Sequence, residues 1–290
     1  MNELSVMVGK TPMVQISERI WAKHEGQNPS GSIKDRMATT IINDAEKKGL
    51  LHHGDTIIEA TSGNSGISFA FLGAERGYKV KIVMPSNMSD ERKQMLRLYG
   101  AELIEVGAGD FDAAIRLRDE LSQSEGYFNP NQFSNPLNIE AHFHGTANEI
   151  LRQHPNKIAA FVAGTGTGGT LMGTSRRLKM YHPNLRTVAV EPAESPVMSG
   201  GKPGLHGIQG IGDGSKFLVN LAEVNDIIVI KTEDAKERER HLAREHGLFV
   251  GVSSGANILG CERLLEMYPD MEGDIITVLC DRGERYLSLL

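Results

Sequence analysis

Seven nearly unbroken apolar runs of strand length alternate along this chain with segments of helical periodicity, and no other feature constrains the fold as tightly. The runs fall at residues 56–59, 79–84, 101–106, 159–163, 187–190, 226–229 and 274–279. A strand that faces water on one side alternates apolar and polar residues, whereas a strand covered on both faces does not. Between the runs lie amphipathic patterns at 65–76, 91–98, 111–122, 138–152, 171–179 and 232–245. This order predicts an α/β chain of doubly wound, mostly parallel sheets. One group of runs centres on residues 56–106 and another on 159–279, so the 290 residues are read as two domains. Asn129-Pro130 and Asn135-Pro136 flank a stretch that marks a crossing loop between them. Ligands of such folds bind beyond the carboxyl ends of the strands, and the chemical motifs lie there.

Composition removes several classes of function. The net charge is −6, and no stretch gathers Lys and Arg with interleaved aromatics, so no nucleic-acid partner is expected. The apolar runs are too short to span a bilayer, which predicts no membrane association. The opening residues lack a basic region followed by an apolar run, so no signal peptide is read there. Cys261 and Cys280 are the two cysteines. Neither lies in a CxxC or beside a histidine cluster, which predicts packing roles, no disulfide, no metal and a reducing, cytoplasmic setting.

The run at 159–163 leads into Gly164-Thr165-Gly166-Thr167-Gly168-Gly169-Thr170, after which a helix begins. Glycines let backbone N–H groups approach an anion, and the helix N-terminus adds favourable partial charge. The segment is a phosphate cradle by its chemistry, with hydroxyls from Thr167 and Thr170. It does not identify the owner of the phosphate. Gly164, Gly166 and Gly169 match G-x-G-x-x-G, and Glu191 ends the next run near where a ribose-binding acid would stand. A nucleotide-dependent oxidoreductase is the alternative at this point.

Two segments have no use in a nucleotide site. In Asn28-Pro29-Ser30-Gly31-Ser32-Ile33-Lys34-Asp35-Arg36 a loop delivers Lys34 to the start of a helix. A cation is unfavourable there, so the lysine either points away, solvated beside Asp35 and Arg36, or is neutral. A neutral amine is what imine formation with an aldehyde requires. In Thr61-Ser62-Gly63-Asn64-Ser65-Gly66, hydroxyls, an amide and exposed N–H groups gather at the head of another helix and suit a carboxylate. An ordinary N-cap by Ser62 or Ser65 is the plainer reading, but one cap needs one such residue. Gly251-Val252-Ser253-Ser254-Gly255-Ala256 reads by itself as a helix cap.

Taken together, these segments resemble the fold-type II pyridoxal-phosphate enzymes, and within them the cysteine synthases (O-acetylserine sulfhydrylases). The likeness runs through Gly9-Lys10-Thr11-Pro12 and residues 28–36, 61–66, 84–100, 166–170, 191–212, 251–256 and 281–288. It implies a tryptophan synthase β-like architecture with pyridoxal 5′-phosphate in the cleft between two domains. Residues 1–36 and 137–290 would form the larger, cofactor-binding domain. Residues 37–136 would form a smaller mobile domain that closes over the substrate carboxylate. Lys34 would carry the cofactor as a Schiff base and move the α-proton. Gly166, Thr167, Gly168, Gly169 and Thr170 would hold the phosphate, and Ser253 would face the pyridine nitrogen. Thr61, Ser62, Asn64 and Ser65 would bind the carboxylate with Gln132, and Asn64 would also reach the phenolic oxygen. A serine at the ring nitrogen leaves the ring neutral and a weaker electron sink, which favours loss of a β-substituent.

The implied reaction converts O-acetyl-L-serine and sulfide, or a related sulfur donor, to L-cysteine and acetate through an aminoacrylate. A cystathionine β-synthase, cysteine desulfidase or lanthionine-forming enzyme would use the same lysine. The resemblance also implies a homodimer and, as a further partner, the tail of serine acetyltransferase. Some positions depart from the family pattern. The stretch from Pro12 to Lys23 is compact, so the early hairpin is short. Ala147 and Asn148 replace Gly and Pro, which predicts a reshaped turn. Gly207 removes a frequent lysine, and Cys280 and Arg282 differ from the commonest residues. Asp213 follows Gly212 where small residues are usual. It is either a turn-forming Asp-Gly pair or a carboxylate that sets the preference for the nucleophile.

Overall fold

The computed structural model describes residues 4–289, so residues 1–3 and 290 of the expected larger domain lie outside the described residues. The chain opens with a hairpin of β1 (Met13–Ser17) and β2 (Ile20–His24), followed by α1 (Lys34–Lys47). Then come β3 (Thr56–Ala60), α2 (Asn64–Arg76), β4 (Lys79–Pro85), α3 (Asp90–Leu98), β5 (Glu102–Val106), α4 (Phe111–Leu121) and β6 (Tyr127–Phe128). After these, α5 (Leu137–Ala141), a π-helical turn (His142–Thr146) and α6 (Ala147–Gln153) lead into β7 (Ile158–Gly164) and α7 (Gly169–Lys179). Next are β8 (Arg186–Pro192), β9 (Asp226–Ile230), α8 (Thr232–His246), α9 (Val252–Met267) and β10 (Asp274–Leu279). A 3-10 turn, Gly283–Leu289, ends the described chain. Among the described residues no helix is long and apolar enough to cross a membrane.

Two sheets result. The larger has the order β1-β2-β10-β7-β8-β9, parallel except for β1. The smaller is all parallel, in the order β5-β4-β3-β6. All seven runs expected from the sequence are strands, and the early hairpin is as short as expected. The hairpin strands themselves and the two-residue β6 lie outside those seven runs. β1 and β6 are edge strands, β6 is only two residues long, and polar residues such as Gln15, Ser17, Lys23 and His24 break the apolar run of the hairpin. The segment expected as one helix over 138–152 is instead interrupted by the π turn. There the Ala147 N–H donates to His142 O, five residues back. A proline at 148 would lack the N–H that a helix uses at that point, so Asn148 lets the helix run on through the turn. Asn148 Nδ2 also donates to His144 O at 2.8 Å.

Successive residues of a strand point to opposite faces, and here both faces are covered. Ala160 and Val162 of β7 pack with Val188, Ile228 and Ile275 against α8 and α9, while Phe161 and Ala163 pack with Ala189, Ile276 and Val278 toward α6 and α7. In the smaller sheet, Ile57 faces one cluster and Ile58 and Ala60 the other. Helix α1 buries Met37, Ala38, Ile41, Ile42 and Ala45 in the smaller sheet's core. Each of its larger side chains contributes roughly 1.5–3 kcal/mol. The loop before α1 is tied to the larger sheet, because Ile33 N donates to Cys280 O at 2.8 Å just beyond β10. Ser32 also bridges Asp281. Lys34 therefore stands where the two sheets meet.

Candidate active site

The helix that begins with Lys34 is fixed by its next two residues, both buried. Asp35 accepts from Ser30 N at 2.7 Å and from Ser68 Oγ at 2.6 Å. Arg36 pairs with Glu25 at 2.6 Å and Glu149 at 2.8 Å, and Lys23 reaches Glu149 at 2.7 Å. Burial pushes the Glu149 carboxyl up, but Arg36 and Lys23 prevail and hold it at about 2. Asp35 and Arg36 point into the protein and Lys34 is itself partly buried, which counts against a solvated lysine beside them. Burial lowers the proton affinity of Lys34, opposed by the charges of Asp213, Cys280, Asp281 and Glu59. The amine is thus biased toward the neutral, nucleophilic form, as its place at a helix N-terminus demands.

Lys34, Thr61, Ser62, Asn64, Ser65, Gln132, Thr167 and Asp213 line one cavity, joined by Phe133 and Gly210. The plain capping reading of Thr61–Gly66 is corrected by the helix itself. The N-cap of α2 is Gly63, without a side-chain cap bond. Ser65 Oγ donates instead to Gln132 Oε1 at 2.5 Å. Gln132 Nε2 donates to Ala60 O at 3.0 Å, and Gln132 N to Glu59 Oε2 at 3.0 Å. Arg118 pairs with the other Glu59 oxygen at 2.7 Å. Thr61 Oγ1 accepts from Gly63 N at 3.0 Å, which curls the loop. Gly63 has φ +139, and a Cβ there would lie 2.5 Å from Arg92 Cδ. Only glycine permits that conformation and that approach.

Arg92, Asp281, Arg285 and Tyr286 had no roles assigned from sequence, yet they hold the loop from behind. Arg92 donates to Ser62 O at 3.0 Å, to Gln209 Oε1 at 2.5 Å and to Tyr286 Oη at 2.6 Å. Asn64 Nδ2 donates to Asp281 Oδ2 at 2.5 Å, and Arg285 Nε donates to Asn64 Oδ1 at 2.9 Å. The amide expected to reach a cofactor is thus oriented by the C-terminal segment, with one N–H left over. The signal available was that residues 92 and 281–288 sit in family-like stretches. No residue type in them pointed to a role.

The phosphate cradle has the shape its sequence requires. Gly168, at φ +90, caps α7, and a Cβ on it would meet Val219 Cγ2 at 2.6 Å. A Cβ on Gly166 would meet Gly210 O at 2.8 Å. The first-turn N–H groups of α7 have no intrahelical acceptors and point out of the helix start. Asn138 Nδ2 donates to Thr167 Oγ1 at 2.9 Å. Thr170 Oγ1 pairs with His142 Nε2 at 3.2 Å, and His142 Nδ1 with Thr146 Oγ1 at 2.9 Å. Burial, with Arg36 and Lys34 nearby, holds His142 well below its ordinary value, so the ring is neutral. The π turn is what aims His142 at Thr170, and sequence reasoning gave neither His142 nor Asn138 a role.

The remaining expected residues fall nearby. Gly212, at φ +71, lies in the wall of an adjoining outer cleft. Ser253 is buried in the first turn of α9, whose cap is Gly251 and not a serine. Burial pushes the Cys280 thiol up to about 12, with the charge of Asp281 adding to the rise and Ser253 opposing it. Cys261 is a packing residue as expected, whereas Cys280 packs and also borders Lys34. Asp213 is more than a turn residue, because it lines both the Lys34 cavity and the outer cleft.

The nucleotide alternative loses its acid. Glu191 accepts from Met198 N at 2.8 Å and from Ser199 N at 3.0 Å and Ser199 Oγ at 2.5 Å, so its carboxylate is committed to its own loop. A phosphorylated aldehyde fits the residues present. An amine biased toward its neutral form by burial faces the cavity, a glycine cradle with no room for added side chains lies beside it, and Ser253 is buried in the first turn of α9.

Residues 4–281 match the family model described as "Pyridoxal-phosphate dependent enzyme". A cysteine synthase of Staphylococcus aureus is 43% identical over 300 residues, covering 99% of this chain and 96% of that protein. The crystal structure of a hydrogen sulfide-producing enzyme from Fusobacterium nucleatum superposes with a TM-score of 0.94 at 41% identity, covering 99% of this chain and 100% of that one. A cysteine synthase from Entamoeba histolytica gives a TM-score of 0.92 at 38% identity, covering 100% and 90%.

Proposed function

This chain belongs to the pyridoxal-phosphate-dependent enzymes, in the cysteine synthase family, and from that premise we propose that it replaces the acetoxy group of O-acetyl-L-serine with a sulfur nucleophile, yielding L-cysteine and acetate. The observation that carries this reading is Lys34, its proton affinity lowered by burial, sharing one cavity with Thr61, Ser62, Asn64, Ser65 and Gln132. When bound, pyridoxal 5′-phosphate supplies the electron sink that weakens the Cα–H bond and lets a β-substituent depart. Lys34 Nζ would hold the cofactor in the resting protein and would move the substrate's α-proton. Thr61, Ser62, Ser65 and Gln132 receive the substrate carboxylate at the head of α2, where the helix dipole favours an anion. The remaining N–H of Asn64 would be available to the cofactor's phenolic oxygen. The cradle from Gly166 to Thr170 holds the phosphate, with Asn138 and His142 orienting the two threonine hydroxyls. Ser253 would face the ring nitrogen.

Among the described residues, 37–136, with the smaller sheet, would be the part that closes over the substrate, and 4–36 and 137–289 the part that holds the cofactor. Closure would exclude water from the reacting carbon. A homodimer in the cytoplasm is part of the same proposal. A serine acetyltransferase tail would enter by the outer cleft with its terminal carboxylate on Thr61 and Gln132. The experiment is a visible absorption spectrum. The purified protein should be yellow, its band should move to longer wavelength with O-acetylserine, and sulfide should restore it. Lys34→Ala should abolish all three responses. A parent protein that stays colourless after incubation with pyridoxal phosphate would refute the assignment of Lys34.

A further inference from the structure

Glu239 has no part in the chemistry proposed above, yet it shares the buried face of α8 with Ala235 and Leu242. It is 2% exposed. Both its carboxylate oxygens are buried without a hydrogen-bond partner among the described residues. An ionised carboxylate is strongly disfavoured in such a place, so the group is held as the neutral acid. A carboxylic acid has one O–H to donate, and that proton needs an acceptor.

An unused acceptor lies within reach. Asp281 is fully buried. Its Oδ2 accepts from Asn64 Nδ2 and from Tyr286 Oη, both at 2.5 Å, and stands 3.8 Å from Arg92. Its Oδ1 is buried and has no partner among the described residues. The start of α9 relates the two acids. A Cβ on Gly251 would lie 2.2 Å from Asp281 Oδ1, and a Cβ on Gly255 would lie 2.9 Å from Glu239 N. Those glycines are one helical turn apart, about 5.4 Å, which the length of a glutamate side chain spans. A side chain at either position would collide with Tyr286 or with the Ala235 carbonyl, so this turn of α9 stays bare beside both acids.

The surrounding charges agree with a proton held there. Burial raises the proton affinity of Glu239 most, Asp281 adds to the rise, and Arg240 and Lys236 of its own helix oppose it. Helix α9 brings no charged side chain between Val252 and Cys261, and burial keeps Cys261 a neutral thiol. On the far side of Asp281 stand Arg92 and Tyr286, whose phenol burial also keeps neutral.

We propose that Glu239 is a positioning residue acting through Asp281 on Asn64: its proton is held toward Asp281 Oδ1 and fixes the carboxylate whose other oxygen orients the Asn64 amide. Loss of that proton leaves two buried carboxylates with no donor between them. Their repulsion displaces Asp281 and loosens Asn64, and with it the hold on the cofactor. The inference rests on the reading of Asn64 as the amide that meets the phenolic oxygen, and adds a control of that contact.

The test compares the parent with Glu239→Gln, whose amide has the shape of the acid and keeps a donor at every pH. The cofactor-free proteins are titrated with pyridoxal phosphate at the visible band, at about pH 6 and about pH 8, on either side of the Glu239 value of about 7. Ionisation of Lys34 and of the cofactor is common to both proteins and cancels in the ratio of their dissociation constants. That ratio should be near one at the lower pH. At the higher pH the parent should bind about fivefold more weakly than the variant, and proton linkage caps the effect there at about tenfold. A side chain that only supported the fold would shift the melting temperature and leave the ratio unchanged with pH, and that result overturns the proposal. A second measurement needs no cofactor. With isotope-labelled asparagine, the Asn64 side-chain amide signal, assigned by its loss in Asn64→Ser, should titrate with Glu239 in the parent and stay constant in Glu239→Gln. A parent signal that does not move between the two pH values overturns the proposal, whether or not the variant folds. A protein that takes up no pyridoxal phosphate refutes the assignment of Lys34, and the Asn64 signal by itself then decides the role of Glu239.

Discussion

Replacing Gly169 with alanine tests whether the phosphate cradle depends on one close packing. Gly169 is the first helical residue of α7, in a conformation alanine adopts freely, so the cost is steric. The new Cβ would stand 2.5 Å from Asn138 Cγ and 2.9 Å from Asn138 O, and nearer still to Asn138 Oδ1. Ordinary contact begins at 3.4 Å, so Asn138 must retreat by about 1 Å. Its Nδ2 joins Thr167 Oγ1 and Gln132 O, both at 2.9 Å, and that retreat breaks both bonds. Each bond is worth about 0.5–1.5 kcal/mol, and the overpacking adds about 1–3 kcal/mol. A loss of about 3 kcal/mol lowers the melting temperature of a chain this size by about 6–12 °C. Because Thr167 belongs to the cradle, the cofactor-free protein should also bind pyridoxal phosphate about tenfold more weakly, read by titration at the visible band. Asn138→Ala removes most of the obstruction. The double variant should therefore be less destabilised than the two single changes together by at least about 1 kcal/mol. Strict additivity, or a Gly169→Ala protein that melts with the parent, would refute the reasoning.

Further outcomes follow from buried charges. Arg118→Met strands the Glu59 carboxylate, buried against Gln132 N, and should cost about 3–5 kcal/mol in urea unfolding, with most of it recovered by adding Glu59→Gln. Asp281→Ala leaves Arg92, Tyr286 and the Asn64 amide without their shared acceptor, so it should lose about 3 kcal/mol of stability and raise the KM for O-acetylserine. Glu239 has both carboxylate oxygens buried without a hydrogen-bond partner among the described residues, and burial with Asp281 lifts it from 4.5 to about 7. The native state then keeps a proton that the unfolded chain releases. Stability from this group is full below pH 4.5, falls as the pH rises toward 7, and has dropped by about 3 kcal/mol above that. Glu239→Gln should remove that fall, so the variant gains on the parent at pH 8 and not at pH 4 in paired thermal melts.

The sequence by itself determined the strands that are buried on both faces, because an uninterrupted apolar run such as 159–163 has no other economical use. It determined the glycine cradle and the two polar turns, because residues such as Gly168 and Gly63 occupy backbone conformations or close approaches open only to glycine. It also placed Lys34 at a helix start, where a charged amine is disfavoured. What it left open were questions of partnership. Whether Ser65 caps its helix or meets Gln132, whether Glu191 is free for a ribose or spent on Ser199, and whether Asp213 merely turns the chain all depend on groups tens of residues away. Arg92, Asp281 and Arg285 are ordinary charged residues locally, and only the packing of the C-terminal segment against α3 makes them the support of Asn64. The π turn that aims His142 at Thr170 likewise arises from α5, α6 and α7 packing together. Local sequence fixes backbone conformations, because sterics act between neighbours. Side-chain partners and proton affinities were decided by the tertiary structure, because desolvation and hydrogen bonding act between residues that only the fold brings together.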